Sequence, residues 1–236
     1  MTQSELFYNL NKRPFDILVA GAALLVLAPV MAITALAVRH FMGSPILFRH
    51  PRPGLNEVVF DCLKFRSMKS SHGPDGKLLS EFERLTPFGK FLRRTSLDEL
   101  PQLWTVLIGD MSLVGPRPLE VRYLNRYSAE QRRRQTVMPG ITGWAQINGR
   151  NAIDWDHKLA LDVWYVDNRT LSLDLKILVL TAWKVLAGSG VSRPGQVSMD
   201  EFWGLERTSV QNSPALTGAQ HQLIECTSKS QPVRRS

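Results

Sequence analysis

The chain has 236 residues, enough for one domain with its own core, and its 29 Lys and Arg against 21 Asp and Glu give a net charge of +8. This balance favours an anionic partner, such as nucleic acid, phospholipid headgroups or phosphorylated small molecules. Two cysteines, Cys62 and Cys226, are too few for a disulfide framework and match no metal-ligand spacing. The composition therefore favours a reducing compartment on the cytoplasmic side.

The first element in the chain is a long apolar run, Phe15–Val38, in which Asp16 is the single charged residue. As a straight helix the run would extend about 36 Å, more than the roughly 30 Å of hydrocarbon in a bilayer. It is long for a signal peptide and lacks a clear cleavage site, and its nearly continuous apolar surface is unusual for the core helix of a soluble domain. We therefore expect residues 1–42 to form a membrane element.

The flanks of this run do not orient a single crossing, because Lys12 and Arg13 precede it and Arg39 follows it. Pro29 lies near the middle, where it removes one backbone hydrogen bond and favours a kink. These features favour a re-entrant helix with both ends on the cytoplasmic face over a true span.

The rest of the chain predicts an α+β fold: a small, mainly helical domain over residues 43–204 with a short β-hairpin. The hairpin is expected within Gly43–Met68, where β-rich runs flank a turn containing Gly54 and Asn56. Helices are predicted near Leu78 and over residues 96–109, 118–135 and 155–188. Three glycines and a proline indicate a structured loop over 138–151. The composition beyond residue 204 is typical of a disordered tail over 205–236.

The last predicted helix, Leu171–Gly188, has two interpretations. Leu173, Ile177, Leu180 and Lys184 lie on one side at helical spacing, as in an ordinary core helix. The alternative is an amphipathic helix in the membrane interface, with Trp183 at headgroup depth and the lysines reaching phosphates. The apolar run near the N-terminus favours the interfacial interpretation.

An adjacent acid pair, Asp98 and Glu99, lies in the stretch "TSLDELPQLW". The simplest explanation is a capping box formed by Ser96 and Glu99. With Ser96 as N-cap, however, Pro101 would clash within the helix, whereas with Asp98 as N-cap it falls in the tolerant first turn. An ionised Asp98 at a helix start could ligate a hard cation or attack phosphorus.

Basic residues surround this pair in the sequence. The simplest interpretation of Lys64 is a solvated strand face, because it alternates with apolar neighbours, and Arg93 fits the exposed surface of a helix. Arg117 is held stiffly between two prolines, which suits bidentate recognition of phosphate. The segment Arg132–Arg134 is interpreted as a solvated or headgroup-facing patch, and Arg150 as a clamp for a phosphate or a sugar.

Four motifs occur in order: "KRPFDILVAGAALLVLAPV", "CLKFRSM", "LRRTSLDELPQLWTVLIGDMSLVGPRP" and "PGITGWAQINGRN". Together they resemble the bacterial sugar transferase family, the monotopic polyprenyl-phosphate phosphoglycosyl transferases, over approximately Lys12–Gly204. The chain length is similar to the minimal form of that family. One departure concerns the re-entrant break, which is often Ser-Pro in the family and is Ala28-Pro29 here.

The resemblance implies transfer of a sugar phosphate from a UDP-sugar to polyprenyl (undecaprenyl) phosphate at the cytoplasmic face of the bacterial inner membrane. It implies Asp98 as nucleophile and metal ligand, Glu99 as its partner in acceptor activation or metal support, and Mg²⁺ as cofactor. Lys64, Arg93 and Arg117 match positions around the phosphates.

The alternative from another class is a membrane-tethered basic module that grips anionic lipid or nucleic acid without turnover. The chain carries no recognisable nucleic-acid motif, so we expect no nucleic acid partner. A multi-span transferase acting on the same lipid would need more than one apolar segment. The sequence leaves the transferred sugar, the final polymer and homo-oligomer formation open.

Overall fold

The computed structural model describes residues 3–149, 153–187 and 201–204. The predicted tail at 205–236 lies outside the described residues. Helices and strands alternate irregularly, as expected for an α+β chain, and the order is α1 (Gln3–Met42), β1 (Leu47–Pro53), β2 (Val59–Phe65), α2 (Glu81–Arg84), α3 (Pro87–Thr95), α4 (Gln102–Ile108), β3 (Ser112–Val114), α5 (Ala129–Arg132), β4 (Gly140–Thr142), α6 (Trp144–Ile147), α7 (Trp155–Asn168) and α8 (Leu171–Leu186). Short 3₁₀ turns link several of these elements.

Helix α1 includes the apolar run and continues past Pro29. In the part of the chain that the structure describes, Leu6–Met42 is the one helix long and apolar enough to cross a membrane, and only 11% of its most apolar stretch is buried by protein. The exposed fraction excludes a fully buried core helix. Its acid, Asp16, faces protein instead, because it pairs with Lys12 at 3.1 Å and accepts from the backbone of Leu113.

Both halves of α1 contact the same body of protein. Before Pro29, Ala20 is fully buried in the main core, and Lys12 donates to the buried carboxylate of Asp174 on α8 at 2.7 Å. After Pro29, Val38 and Met42 are buried in a smaller cluster. The ends of the helix therefore lie against one compact unit that extends to Phe202.

The predicted hairpin is confirmed: β1 pairs with β2 in antiparallel register, with Phe48 opposite Lys64 and His50 opposite Cys62. The turn uses Asn56 with φ +52°, a left-handed conformation that Asn tolerates better than most residues. Gly54 leaves room for the carbonyl of Val58, which would lie 3.0 Å from an added Cβ. The hairpin holds one row of side chains toward the 3₁₀ turn before α4.

The segment 138–151, predicted as a loop without regular elements, contains a strand and a helical turn. β4 pairs in parallel with β3, and α6 follows directly. Three-residue strands are too short to show a two-residue period in the sequence, which is why the pattern indicated a loop. The pair lies in the core, since Leu113 and Val114 are buried with Met111.

Helix α8 has one face packed in the core and one exposed face, so the core interpretation holds for the first, and the interfacial interpretation stays a prediction for the second. Ile177 is fully buried in the main core with Leu173 and Leu180 packed against it. Lys184 donates to the carbonyl of Ile147 at 2.6 Å, so it does not reach toward a membrane surface as predicted. The other face presents exposed apolar side chains at four-residue spacing: Leu175, Val179 and Trp183.

Candidate active site

The acid pair lies in a 3₁₀ turn, Leu97–Glu99, between α3 and α4. Helix α3 begins with Thr86 as its N-cap and ends at Ser96, whose φ of +57° turns the chain sharply. The turn lies directly against strand β2, and α4 starts only at Gln102. The two carboxylates therefore lie in a tight bend between two helices.

Neither predicted cap is formed. The side chain of Ser96 makes no capping hydrogen bond, and Pro101 rather than Asp98 occupies the N-cap position of α4. The capping box is lost because Glu99 turns toward two cations that come from distant parts of the chain. A local sequence pattern was overridden by tertiary ion pairing.

Glu99 is the anchor of a three-residue ion cluster. Its Oε1 accepts from Lys64 Nζ at 2.7 Å and also from Arg117 Nη2, while Oε2 accepts from Arg117 Nη1 at 3.3 Å. Burial alone would raise the pKa of Glu99, but Arg117 and Lys64 outweigh it and hold that pKa well below the ordinary range. Glu99 is therefore ionised throughout the physiological range.

Asp98 behaves in the opposite way. Its side chain is buried, and Oδ1 has no hydrogen-bond partner. Burial and the adjacent charge of Glu99 raise the pKa of Asp98 to about 6, against the lowering effects of Lys64, Arg93 and Arg117. A carboxylate amid cations that is not itself held in an ion pair has the chemistry of a nucleophile or a metal ligand.

Arg117 is held by the backbone contacts of its loop. Gly115 donates to the carbonyl of Thr142 at 2.9 Å, and Gly140 donates to the carbonyl of Pro116 at 3.0 Å. An added Cβ on Gly115 would come within 2.3 Å of the carbonyl of Met138, so only glycine permits this approach. The segments "GPRP" and "MPGIT" therefore position Arg117 together.

The chain is similar to known proteins over most of its length. Residues 7–188 match the family described as "Bacterial sugar transferase", a range that covers the membrane helix, the hairpin, the acid pair and the Arg117 loop. This chain belongs to the bacterial sugar transferase family. The resemblance found in the sequence motifs is thereby confirmed, and with it the assignment of the chain as an enzyme.

Proteins similar to this sugar transferase include one of similar length and two longer ones. "Uncharacterized sugar transferase EpsL" of Bacillus subtilis is 50% identical over 193 residues, which cover 82% of this chain and 96% of that protein. "Undecaprenyl-phosphate galactose phosphotransferase" of Salmonella typhimurium is 40% identical over 76% of this chain. "UDP-glucose:undecaprenyl-phosphate glucose-1-phosphate transferase" of Escherichia coli is 41% identical over 75% of it. The match spans 41% and 40% of those two longer proteins.

Several predicted site residues of the transferase come together in the structure. Lys64 and Arg117 contact Glu99, and Arg93 donates to Ser67 Oγ at 3.0 Å while its charge acts on Asp98. Arg150 lies outside the described residues. The predicted site is thus assembled from β2, the end of α3, the 3₁₀ turn and the loop after β3.

The prediction for Arg132–Arg134 is wrong for its last residue. Arg134 is 2% exposed and forms a buried ion pair with Asp162 of α7, its Nη2 lying 2.8 Å from Oδ2. The same Nη2 donates to the backbone carbonyl of Arg117 at 2.5 Å. Consecutive arginines look alike in a sequence, so only the contact with α7 distinguishes this one.

Sequence reasoning also missed two residues on the hairpin face that carries Lys64. His50 and Arg52 lie on this face because they alternate with outward residues along β1 and oppose Cys62 and Phe60. Arg52 Nη2 lies 3.2 Å from His50 Nδ1, and burial followed by the Arg52 charge lowers the pKa of His50 to about 4. His50 is therefore neutral at physiological pH and suited to accept a hydrogen bond. The two-residue alternation of "FRHPRP" was the available signal.

Metal binding would rest on few protein ligands. Within the described residues, no group of three or more His, Cys, Asp or Glu side chains is arranged to hold a metal ion. Both oxygens of Glu99 already accept from cations, which leaves Asp98 as the carboxylate of the pair that is not held by a hydrogen-bonded cation. This set fits Mg²⁺, which often takes one or two carboxylates and completes its shell with substrate phosphates and water.

Proposed function

We propose that this sugar transferase moves a sugar-1-phosphate from a UDP-sugar to undecaprenyl phosphate and releases UMP. The names of the Salmonella typhimurium and Escherichia coli relatives support both the lipid acceptor and the sugar-phosphate group. One observation carries the proposal. The buried carboxyl of Asp98 has an oxygen without a hydrogen-bond partner, and the positive charges of Lys64, Arg93 and Arg117 act on this carboxyl. A carboxylate so surrounded is suited to attack an anionic phosphorus.

The reaction proceeds in two displacements at the same phosphorus. In the first, an oxygen of Asp98 bonds to the sugar-bearing phosphorus, the bond from that phosphorus to the bridging oxygen breaks, and UMP leaves with the bridging oxygen. In the second, a phosphate oxygen of undecaprenyl phosphate bonds to this phosphorus and the Asp98 carboxylate leaves. The products are UMP and an undecaprenyl diphosphate sugar, and Asp98 is regenerated.

The cations of the site offset the repulsion between the nucleophile and the donor. A carboxylate approaching a diphosphate meets repulsion, which fixed positive groups in a partly dry site offset more effectively than water does. Lys64 and Arg117 are preorganised for this by Glu99, and Arg93 by Ser67. Arg117, with its planar fork, suits bidentate contact with a diphosphate.

Glu99 serves mainly to hold Lys64 and Arg117 in this proposal. A carboxylate with a lowered pKa that already accepts hydrogen bonds from two cations is a weak general base. Acceptor activation therefore requires little from Glu99, since the phosphate of the lipid is already anionic. Its removal would leave two cations without their anchor.

Mg²⁺ is proposed as the cofactor, and the carboxylate of Asp98 would be the protein group that holds it, together with oxygens of the donor diphosphate. When bound, the ion offsets the negative charge that develops on the diphosphate as UMP departs. The protein contributes the burial of Asp98 and the flanking cations.

The proposed location is the cytoplasmic face of the bacterial inner membrane. Since residues on both sides of Pro29 contact the same compact unit, a re-entrant α1 satisfies these contacts without placing the unit on both sides of a bilayer. The exposed face of α8 with Trp183 supports a shallow interfacial seat for the domain. A site near headgroup depth meets the lipid phosphate without extraction of its tail.

UMP release tests the proposed activity. Purified transferase in nanodiscs with undecaprenyl phosphate and Mg²⁺ is incubated with a panel of UDP-sugars, and UMP is measured by a coupled assay. Release with at least one sugar supports the transferase. Salt-sensitive binding of anionic vesicles without UMP release from any sugar supports the binding module instead.

A further inference from the structure

Arg134 differs sharply from its neighbour Arg133. Arg133 lies at the surface, where it pairs with Glu130 and Asp167, both of which are well exposed. Arg134 is 2% exposed, in the 3₁₀ turn that packs against α7. The two arginines thus provide a matched pair with similar chemistry and different surroundings.

The guanidinium of Arg134 joins three separate segments. Nε and Nη2 donate to Asp162 Oδ2 on α7 at 3.0 and 2.8 Å. Nη2 also donates to the carbonyl of Arg117 at 2.5 Å. Nη1 lies 3.4 Å from the hydroxyl of Tyr127, and the guanidinium carbon lies 5.7 Å from the centre of that ring. All three nitrogens of the guanidinium therefore have a hydrogen-bond partner.

A buried ion pair is a poor way to gain stability alone, because desolvation offsets much of the attraction. Here the pair also fixes a backbone carbonyl at the residue whose side chain contacts Glu99. From this arrangement we propose that Arg134 and Asp162 are positioning residues that hold the Arg117 backbone so that its guanidinium meets both Glu99 and the donor diphosphate. This inference rests on the proposed function.

Arg134→Lys is the informative change, because a lysine keeps the charge near Asp162 but lacks the second arm that reaches the Arg117 carbonyl. Loss of about an ångström of precision in a transition-state contact costs roughly tenfold to hundredfold in rate. We expect kcat for UMP release to fall by that factor with little change in KM. Arg133→Lys is the control and should retain kcat within about twofold.

The decisive measurement is a double-mutant cycle. If Arg134 acts through Arg117, Arg134→Lys should lower kcat by less than about twofold once Arg117→Lys is already present. If Arg134 is merely structural, its effect on kcat should be the same in both backgrounds. Circular dichroism and melting temperature are measured for each variant to check that it is folded. Should Arg134→Lys fail to fold, Asp162→Asn replaces it in the same cycle.

The outcomes separate this inference from the proposed function. Two results overturn the positioning role alone, provided that the wild type releases UMP normally. In the first, the effects of the two substitutions on kcat multiply; in the second, Arg134→Lys leaves kcat unchanged. Absence of UMP release by the wild type with every UDP-sugar overturns the proposed function and this inference together. A large effect in the wild type that disappears in the Arg117→Lys background supports it.

Discussion

Asp98 and Glu99 are neighbours in the chain, yet the pKa values of their carboxyl groups are shifted in opposite directions. Glu99 accepts from Lys64 and Arg117, which hold its pKa low, whereas burial and the charge of Glu99 raise the pKa of Asp98 to about 6. The pair therefore divides two tasks. Glu99 organises the cations, and Asp98 keeps an oxygen without a partner for chemistry.

The first prediction concerns the pH dependence of activity. Attack requires ionised Asp98, so at Mg²⁺ concentrations too low to occupy the free enzyme, kcat/KM for the donor should rise with pH and level off above a midpoint near 6, the pKa of that carboxyl in the metal-free protein. The profile is measured by UMP release between pH 5 and 8 at saturating acceptor. A midpoint near 4, the ordinary pKa of Asp, would contradict the raised pKa of the buried Asp98 carboxyl.

Glu99→Gln should move that profile. The change removes a negative charge beside Asp98 and leaves the lowering effects of Lys64, Arg93 and Arg117 in place, so the midpoint should shift to lower pH. Lys64 and Arg117 also lose their anchor, and we expect kcat to fall roughly tenfold to hundredfold. A loss of activity with an unmoved midpoint would show that Glu99 does not act on Asp98 electrostatically.

Asp98→Asn should stabilise the fold. Because the folded-state pKa lies above the unfolded value, ionisation of Asp98 lowers stability as the pH rises past about 4. The pKa of about 6 corresponds to a cost of about 3 kcal/mol at pH 7.5 and about 1 kcal/mol at pH 4.5. Melting temperatures of wild type and Asp98→Asn should therefore diverge with increasing pH. If the melting temperatures of the two proteins differed equally at both pH values, the raised pKa of Asp98 would be contradicted.

The re-entrant geometry of α1 is tested by cysteine labelling. Leu10 and Phe41 are exposed and lie on opposite sides of Pro29. In a background without Cys62 and Cys226, Leu10→Cys and Phe41→Cys should both resist a membrane-impermeant thiol reagent added to spheroplasts, and both should react in inverted vesicles. Labelling of either cysteine in intact spheroplasts would indicate a true span.

The sequence predicted those parts of the fold that depend on local signals. The hairpin follows from alternation around a turn with Gly54 and Asn56, and the stiffness of the Arg117 loop follows from its two prolines. The parallel pairing of β3 with β4 was missed because each strand has only three residues. Turns and stiff loops can be predicted from neighbouring residues, whereas pairing between short segments that are distant in the sequence cannot.

The candidate site shows the same division. The resemblance of the motifs to a sugar transferase implied phosphate chemistry for Lys64, Asp98, Glu99 and Arg117, and the structure brings these residues together. The expected capping box failed because the ion pairs of Glu99 outweigh one backbone hydrogen bond. The burial of Arg134 depends on Asp162, which lies 28 residues away. No pattern within the arginine run could reveal that partner.

Covalent catalysis by Asp98 is tested most directly by intact-protein and peptide mass spectrometry. The transferase is mixed with its UDP-sugar and Mg²⁺ while undecaprenyl phosphate is withheld, then quenched and digested. We expect an added mass equal to the sugar phosphate on the peptide containing Asp98, absent in Asp98→Asn and lost when the lipid is supplied. An unmodified Asp98 peptide in a preparation that turns over fully with acceptor would contradict a covalent intermediate.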